Sequence, residues 1–185
     1  MRHLGWLDMN KEDGQEYWLS MNLAGDYAKA CHDQIHKNVA KAVGLSPVIK
    51  IENHHNFAWK EIVDGKELIV HRKGSTPAGK DVLGIIPGSM TDHGFIVKGK
   101  GNPESLSSAS HGAGRKHSRK ETISRNTKSE MRKELRRKRV SLIGGALDES
   151  PYAYKSLERV MSYQEDLVDI VGKFYPRIVR MDRDK

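Results

Sequence analysis

The sequence predicts an α+β fold of small mixed sheets with flanking helices, and three observations predict it. A long apolar stripe recurs every four positions near the start. Two β-prone runs flank Asp64-Gly65 in the middle. Shorter strand and helix patterns then follow in turn up to residue 181, without the strict strand–helix alternation of a parallel α/β chain. A length of 185 residues suits one domain with a core of its own.

The first element is a helix over residues 14–43. Leu19, Leu23, Tyr27, Cys31, Ile35, Val39 and Val43 lie on one stripe, and Ala24 and Ala28 widen it. Gly44 ends this helix, and Pro47 bars its continuation. The stripe predicts a core-facing helix, with Cys31 packed among its apolar neighbours. A short strand is expected over 48–51. The Asp-Gly pair predicts a hairpin joining 57–63 to 66–71. Further strands are expected over 82–86 and 95–97, separated by the turn-rich Pro87-Gly88-Ser89-Met90. Asn102-Pro103-Glu104 has the form of a helix start, and that helix is expected to reach about Ala109. A charged helix over 129–139, an amphipathic one over 156–173 and a last strand over 178–181 complete the reading.

Hydrophobic residues make up 37% of the chain and charged residues 30%. No apolar run approaches the roughly 20 residues of a membrane helix. The opening Met1-Arg2-His3-Leu4-Gly5-Trp6 lacks the apolar core of a signal peptide, so a cytoplasmic location is expected. A single cysteine excludes an intrachain disulfide. The net charge of +8 is concentrated between Arg115 and Arg139 and points to an anionic partner, nucleic acid being the commonest. Glu121, Glu130 and Glu134 interrupt that run, however, and no aromatic residue interleaves with it. Helical ion pairing therefore competes with phosphate binding, and base stacking by this segment is not expected.

The chemistry concentrates at two places. Ser110-His111-Gly112-Ala113-Gly114-Arg115 sets a histidine among small residues. Its glycines allow close backbone approach to a phosphate, and its arginine adds a forked cationic donor. A neutral imidazole there is a competent nucleophile, and base or ligand roles are open to it as well. Upstream, Asn53-His54-His55-Asn56 offers metal ligands, although adjacent residues of an extended strand face opposite sides. A catalytic metal usually takes three protein ligands, and no second strong ligand cluster is present. His71-Arg72-Lys73 forms a compact cationic cluster for which phosphate contact and solvation are equally reasonable.

In order along the chain stand Glu52 to Asn56, Val70 to Gly74, Gly84 to Met90, Gly99 to Ser105, Ser110 to Arg115 and Asp148 to Lys155. Together these segments resemble the C-terminal half of the RtcB-type RNA-splicing ligases over nearly the whole chain. The resemblance implies that residues 1–185 are the C-terminal part of a single RtcB-like catalytic domain, without its N-terminal metal-binding half. It implies a ligase that uses GTP and manganese to join RNA 3′-phosphate or 2′,3′-cyclic phosphate ends to 5′-hydroxyl ends in RNA repair and tRNA splicing. By the same resemblance His111 is the guanylylated nucleophile and His55 a manganese ligand beside the nucleotide. Asn56, Pro87, Gly88, Ser89, Met90, Gly94, Gly112, Ala113, Gly114 and Tyr154 contact GTP, with the Ser89 hydroxyl as a donor and Tyr154 at the base. Arg115, Arg72 and Lys73 are the expected phosphate or RNA contacts.

The sequence departs from the family pattern in three ways. The other metal ligands, an Asp-x-x-Cys pair and two histidines, belong to the half that is absent, and the Cys31 helix matches a different region. Gly94 stands where relatives usually carry a serine. Met181 stands where they carry a guanine-recognising lysine, leaving Arg180 or Lys185 to substitute or GTP selectivity to weaken. Activity is accordingly expected in a longer product or with a separately encoded N-terminal half; the alternative is a remnant that binds RNA or nucleotide without ligating.

Overall fold

A computed structural model describes residues 5–182, so the opening Met1 to Leu4 and the candidate substitute Lys185 lie outside the described residues. The chain divides into two compact units, Met1–Lys50 and Ile51–Lys185.

The first unit is dominated by helix α1, Glu12–Ala42, within two residues of the expected span. Gly44 follows it with φ +68°, a left-handed value suited to a residue without Cβ. The stripe itself is not core-facing. Leu23 and Tyr27 are each 72% exposed, Leu19, Ile35, Val39 and Val43 are exposed too, and Gly14 is the one buried residue of the helix among those described. Periodicity established the amphipathic face but could not supply a surface to cover it. Cys31 is half-buried. The strand expected over 48–51 does not form, and Val48 and Ile49 are exposed. β-propensity without an edge to pair with leaves such a run extended but unladdered.

The second unit opens with the expected hairpin, β1 (Asn56–Val63) against β2 (Lys66–Lys73). Asp64 and Gly65 both have positive φ, 50° and 74°, which matches the right-handed twist of the strands they join. Strand β3 (Ser75–Pro77) follows one residue later. Strands β4 (Leu83–Ile86) and β5 (Gly94–Gly99) pair antiparallel, as the sequence predicts. Strand β6 (Ser108–Ser110) pairs back onto β3.

Two helical expectations fail here. The turn capped by Asn102 is a single 3₁₀ turn, Pro103–Ser105, because Leu106 and Ser107 turn left-handed with φ 51° and 48°. The helix expected over 156–173 is only α4, Leu157–Met161; residues Val168–Phe174 form β8, antiparallel to β5. Leu167, Val168 and Val171 fit either period, and the free edge of β5 decided between them.

Helix α2 (Arg119–Arg125) has no counterpart in the sequence reading. Its signal was present, since Ser118 accepts from the Glu121 N–H in a Ser-x-x-Glu start. Helix α3 (Lys128–Lys138) matches its expected span, and β9 (Ile178–Arg180) pairs in parallel with β7 (Ser141–Ile143). The mixed composition of small sheets and helices is the predicted α+β fold. Among the described residues no helix is long and apolar enough to cross a membrane.

The core of the second unit holds the histidine loop. Ile86, Phe95, Val97, Leu157, Met161 and Val168 pack with Ala109 and Ala113, the two alanines that bracket His111. The small-residue loop is thus anchored at both ends in the apolar centre, while His111 is only half-buried.

Candidate active site

Three short segments are tied together around His111. The Gly74 N–H donates to the His55 carbonyl at 3.1 Å, and the His111 N–H donates to the Gly74 carbonyl at 3.3 Å. The rings of His55 and His111 consequently stack, with centroids 4.8 Å apart and planes 29° from parallel. Gly74 sits between them at φ +72°, and a Cβ there would already lie 3.7 Å from the His111 ring. Asn53 holds the upstream segment in place. Its amide donates to Thr76 Oγ1 at 2.6 Å and to the Ile85 carbonyl at 3.2 Å, and accepts from the Ile85 N–H at 3.2 Å. His55 and His111, remote in sequence, are neighbours because β3 pairs with β6 immediately beside them.

The loop then turns toward a cavity. Gly112 is buried, and a Cβ there would meet the Pro87 carbonyl at 3.2 Å, so the His111 loop abuts the 87–90 turn. Pro87, Gly88, Ser89, Met90 and Tyr154 all line one open cavity of about 300 Å³. That lies at the small end of the range for small-molecule sites. Arg180 and Met181 also line it, as do Asp92, Glu149, Phe174, Pro176 and Val179, which sequence reasoning missed. Phe174 and Pro176 lie just beyond the segment misread as helix.

Several candidate residues are engaged within the chain. Arg72 is 2% exposed. Its guanidinium forks onto Glu61 at 2.6 and 2.9 Å, donates to Ser108 Oγ at 2.9 Å and to the Leu106 carbonyl at 2.8 Å, and lies over Trp59. Strand alternation explains this, because His71 and Lys73 are exposed while Arg72 points the other way. Lys73 pairs in register with Asn56, so those two exposed candidates sit side by side.

Arg115 is likewise engaged within the chain. Its Nε donates to the His117 carbonyl at 3.1 Å, Nη1 to the Tyr154 hydroxyl at 3.3 Å, and Nη2 to Thr122 Oγ1 at 3.2 Å and the Asp148 carbonyl at 2.6 Å. These bonds brace the loop. The Ser89 hydroxyl donates to Asp92 Oδ2 at 2.8 Å. Gly94 is buried and does not line the cavity; the Phe174 ring occupies the space where its side chain would project.

Tyr154 stands at the cavity wall with its hydroxyl donating to Glu149 and its ring 5.2 Å from the Arg115 guanidinium. Burial raises its phenol above the ordinary tyrosine value, and the Glu149 carboxylate raises it further. The group is therefore a neutral donor across the physiological range. Glu149 and Asp148 also bind Arg119, which closes the network on the outer side.

A family model described as tRNA-splicing ligase RtcB matches residues 1–182. The chain belongs to the RtcB family. It is 40% identical over 131 residues to the RNA-splicing ligase RtcB of Escherichia coli strain K12, covering 66% of this chain and 30% of that protein. The tRNA-splicing ligase RtcB of Nanoarchaeum equitans is 31% identical over 212 residues, covering 95% of this chain and 44% of its own length. That of Methanococcus maripaludis is 29% identical over 201 residues, covering 89% and 41%. The chain thus spans less than half the length of these RtcB relatives. Among the described residues, no three His, Cys, Asp or Glu side chains converge as a metal site.

Proposed function

We propose that this chain carries the nucleotide-transfer site of an RNA ligase that joins 3′-phosphate or 2′,3′-cyclic phosphate ends to 5′-hydroxyl ends. The observation that carries the reading is the stacked His55–His111 pair at 4.8 Å, on a loop abutting the cavity that Pro87 to Met90 and Tyr154 line, in a chain matched along 1–182 by the RtcB model.

In this reading a ring nitrogen of His111 attacks the α-phosphorus of GTP. A P–N bond forms, the P–O bond to the leaving pyrophosphate breaks, and His111 holds the guanylyl group. A 3′-phosphate oxygen of the RNA then takes that group and frees His111. Finally the 5′-hydroxyl attacks the activated RNA phosphorus, losing its proton, and GMP departs. Ala113 and the flanking glycines leave room for the nucleotide, Tyr154 and Phe174 offer faces for the base, and Lys73 and Asn56 stand exposed at the edge. Manganese is the metal the resemblance implies, with His55 its candidate ligand. Among the described residues, no three His, Cys, Asp or Glu side chains converge there. The remaining ligands would come from a longer product or a separately encoded N-terminal half. A cytoplasmic location accompanies this reading.

Incubation with α-labelled GTP and manganese, with and without an N-terminal half, tests it. Covalent label is expected on the wild type and absent from His111→Ala; label retained by that variant overturns the reading. A second reading is a remnant that binds nucleotide or RNA without ligating. Label-free protein with unimpaired RNA binding, even with the N-terminal half supplied, is its signature.

A further inference from the structure

The Tyr154 ring has a second cavity on it. This one, about 520 Å³, is lined by Lys116, Tyr154, Lys155, Ser156, Arg159, Val160 and Tyr163. It is built on the His111 loop, since the Lys155 N–H donates to the Gly114 carbonyl at 3.0 Å and the Lys116 N–H to the Ala153 carbonyl at 2.8 Å.

Its cations differ from three of the basic segment, where Arg119 is held by Asp148 and Glu149, Arg125 by Glu121 and Arg137 by Glu134. Among the described residues no carboxylate pairs with Lys116, Lys155 or Arg159, and Glu158, the acid nearest in sequence, is turned to His93. Tyr163 adds an aromatic face, 73% exposed, over the apolar floor of Val160. Unpaired cations around an exposed ring are the chemistry of single-stranded nucleic acid, with phosphates on the cations and a base on the ring.

We propose that this pocket binds an unpaired nucleotide of the RNA strand, its base on Tyr163 and its flanking phosphates on Lys116, Lys155 and Arg159. The proposal rests on the ligase reading for the identity of the strand. Tyr154 then forms a wall shared by the guanine-nucleotide cavity and the RNA cavity. This contact, at residues 116 and 155–163, lies outside helices α2 and α3.

The test is RNA binding by the full chain, followed by fluorescence anisotropy over a salt series. The probes are a short single-stranded RNA, a duplex of the same length, GMP and inorganic phosphate. The triple variant Lys116→Ala, Lys155→Ala, Arg159→Ala is expected to bind the single strand at least tenfold more weakly. The slope of log affinity against log salt should fall by about 2, at roughly 0.7 per lost phosphate contact. Tyr163→Ala should weaken single-strand binding about five- to a hundredfold, and Tyr163→Phe should restore it. Duplex, GMP and phosphate should show little dependence on these residues. Wild-type affinity in both the triple and the Tyr163→Ala variants overturns the proposal, as does equal loss for duplex or no RNA binding by the wild type. Retained loss in Tyr163→Phe overturns the stacking assignment. The same measurements on His111→Ala, which cannot be guanylylated, separate failure of this pocket from failure of the ligase reading.

Discussion

At the scale of single residues the site depends on side chains whose work is positional. Arg72 is the clearest case, with its donors divided among Glu61, Ser108 and Leu106. It links the far end of the hairpin to the segment that leads into His111. Removing it leaves the half-buried Glu61 carboxylate without its forked partner, so Arg72→Ala should cost about 3 kcal/mol in urea unfolding. Arg72→Lys should not recover that loss, because an ammonium cannot fork onto a carboxylate. Gly94 and Phe174 form a second such unit, a Cβ on the glycine falling 2.2 Å from the ring. Gly94→Ser should destabilise the wild type but be relieved when Phe174→Ala is added, giving a coupling of about 0.5–3 kcal/mol in a double-mutant cycle. Tyr154 has its phenol raised by burial and by Glu149. Its protonated form is the one the fold favours, so that contribution is present below the ordinary tyrosine value and is lost as pH rises through the raised one. Ultraviolet titration should place its ionisation above that of a free phenol, and Glu149→Gln should move it down.

At the scale of elements, local signals and ladder competition divide the outcome. The hairpin and α3 form where their own sequences dictate. Gly65, at φ +74°, makes Gly65→Ala expected to cost about 1–2 kcal/mol by thermal unfolding. Helix α3 starts with a capping box in which Thr127 accepts from the Glu130 N–H and Glu130 accepts from Thr127. Those Thr127 hydrogen bonds hold the Glu130 carboxyl below its ordinary value, and Arg137 does the same for Glu134. Both groups have lowered folded values, so their contribution is complete above the ordinary glutamate range. It is lost as pH falls through the lowered values, and α3 should therefore loosen in acid. Circular dichroism against pH should show the loss earlier in Thr127→Ala than in the wild type. Strand β8 shows the opposite principle. Its apolar residues fit a helix in isolation, and its strand form exists because β5 offers an edge six residues long.

At the scale of the molecule, the first unit carries an exposed apolar stripe along α1. A large apolar stripe without cover is an association liability. The chain alone should bind an apolar dye strongly, and Leu23→Lys with Tyr27→Lys should reduce that signal without lowering helix content. The sequence by itself determined the α+β class, the hairpin, the long first helix and the family, because each of these rests on residues close together or on motifs kept in order. It also singled out His55, His111, Pro87 to Met90 and Tyr154. Only the tertiary structure decided that the two histidines stack, that Arg72 and Arg115 bond within the chain, and that Phe174 lines the cavity beside Pro87 to Met90. It alone placed three unpaired cations and Tyr163 around a second cavity. These outcomes depend on which strand edge is free and which carboxylate lies nearby in space, quantities that no local pattern encodes.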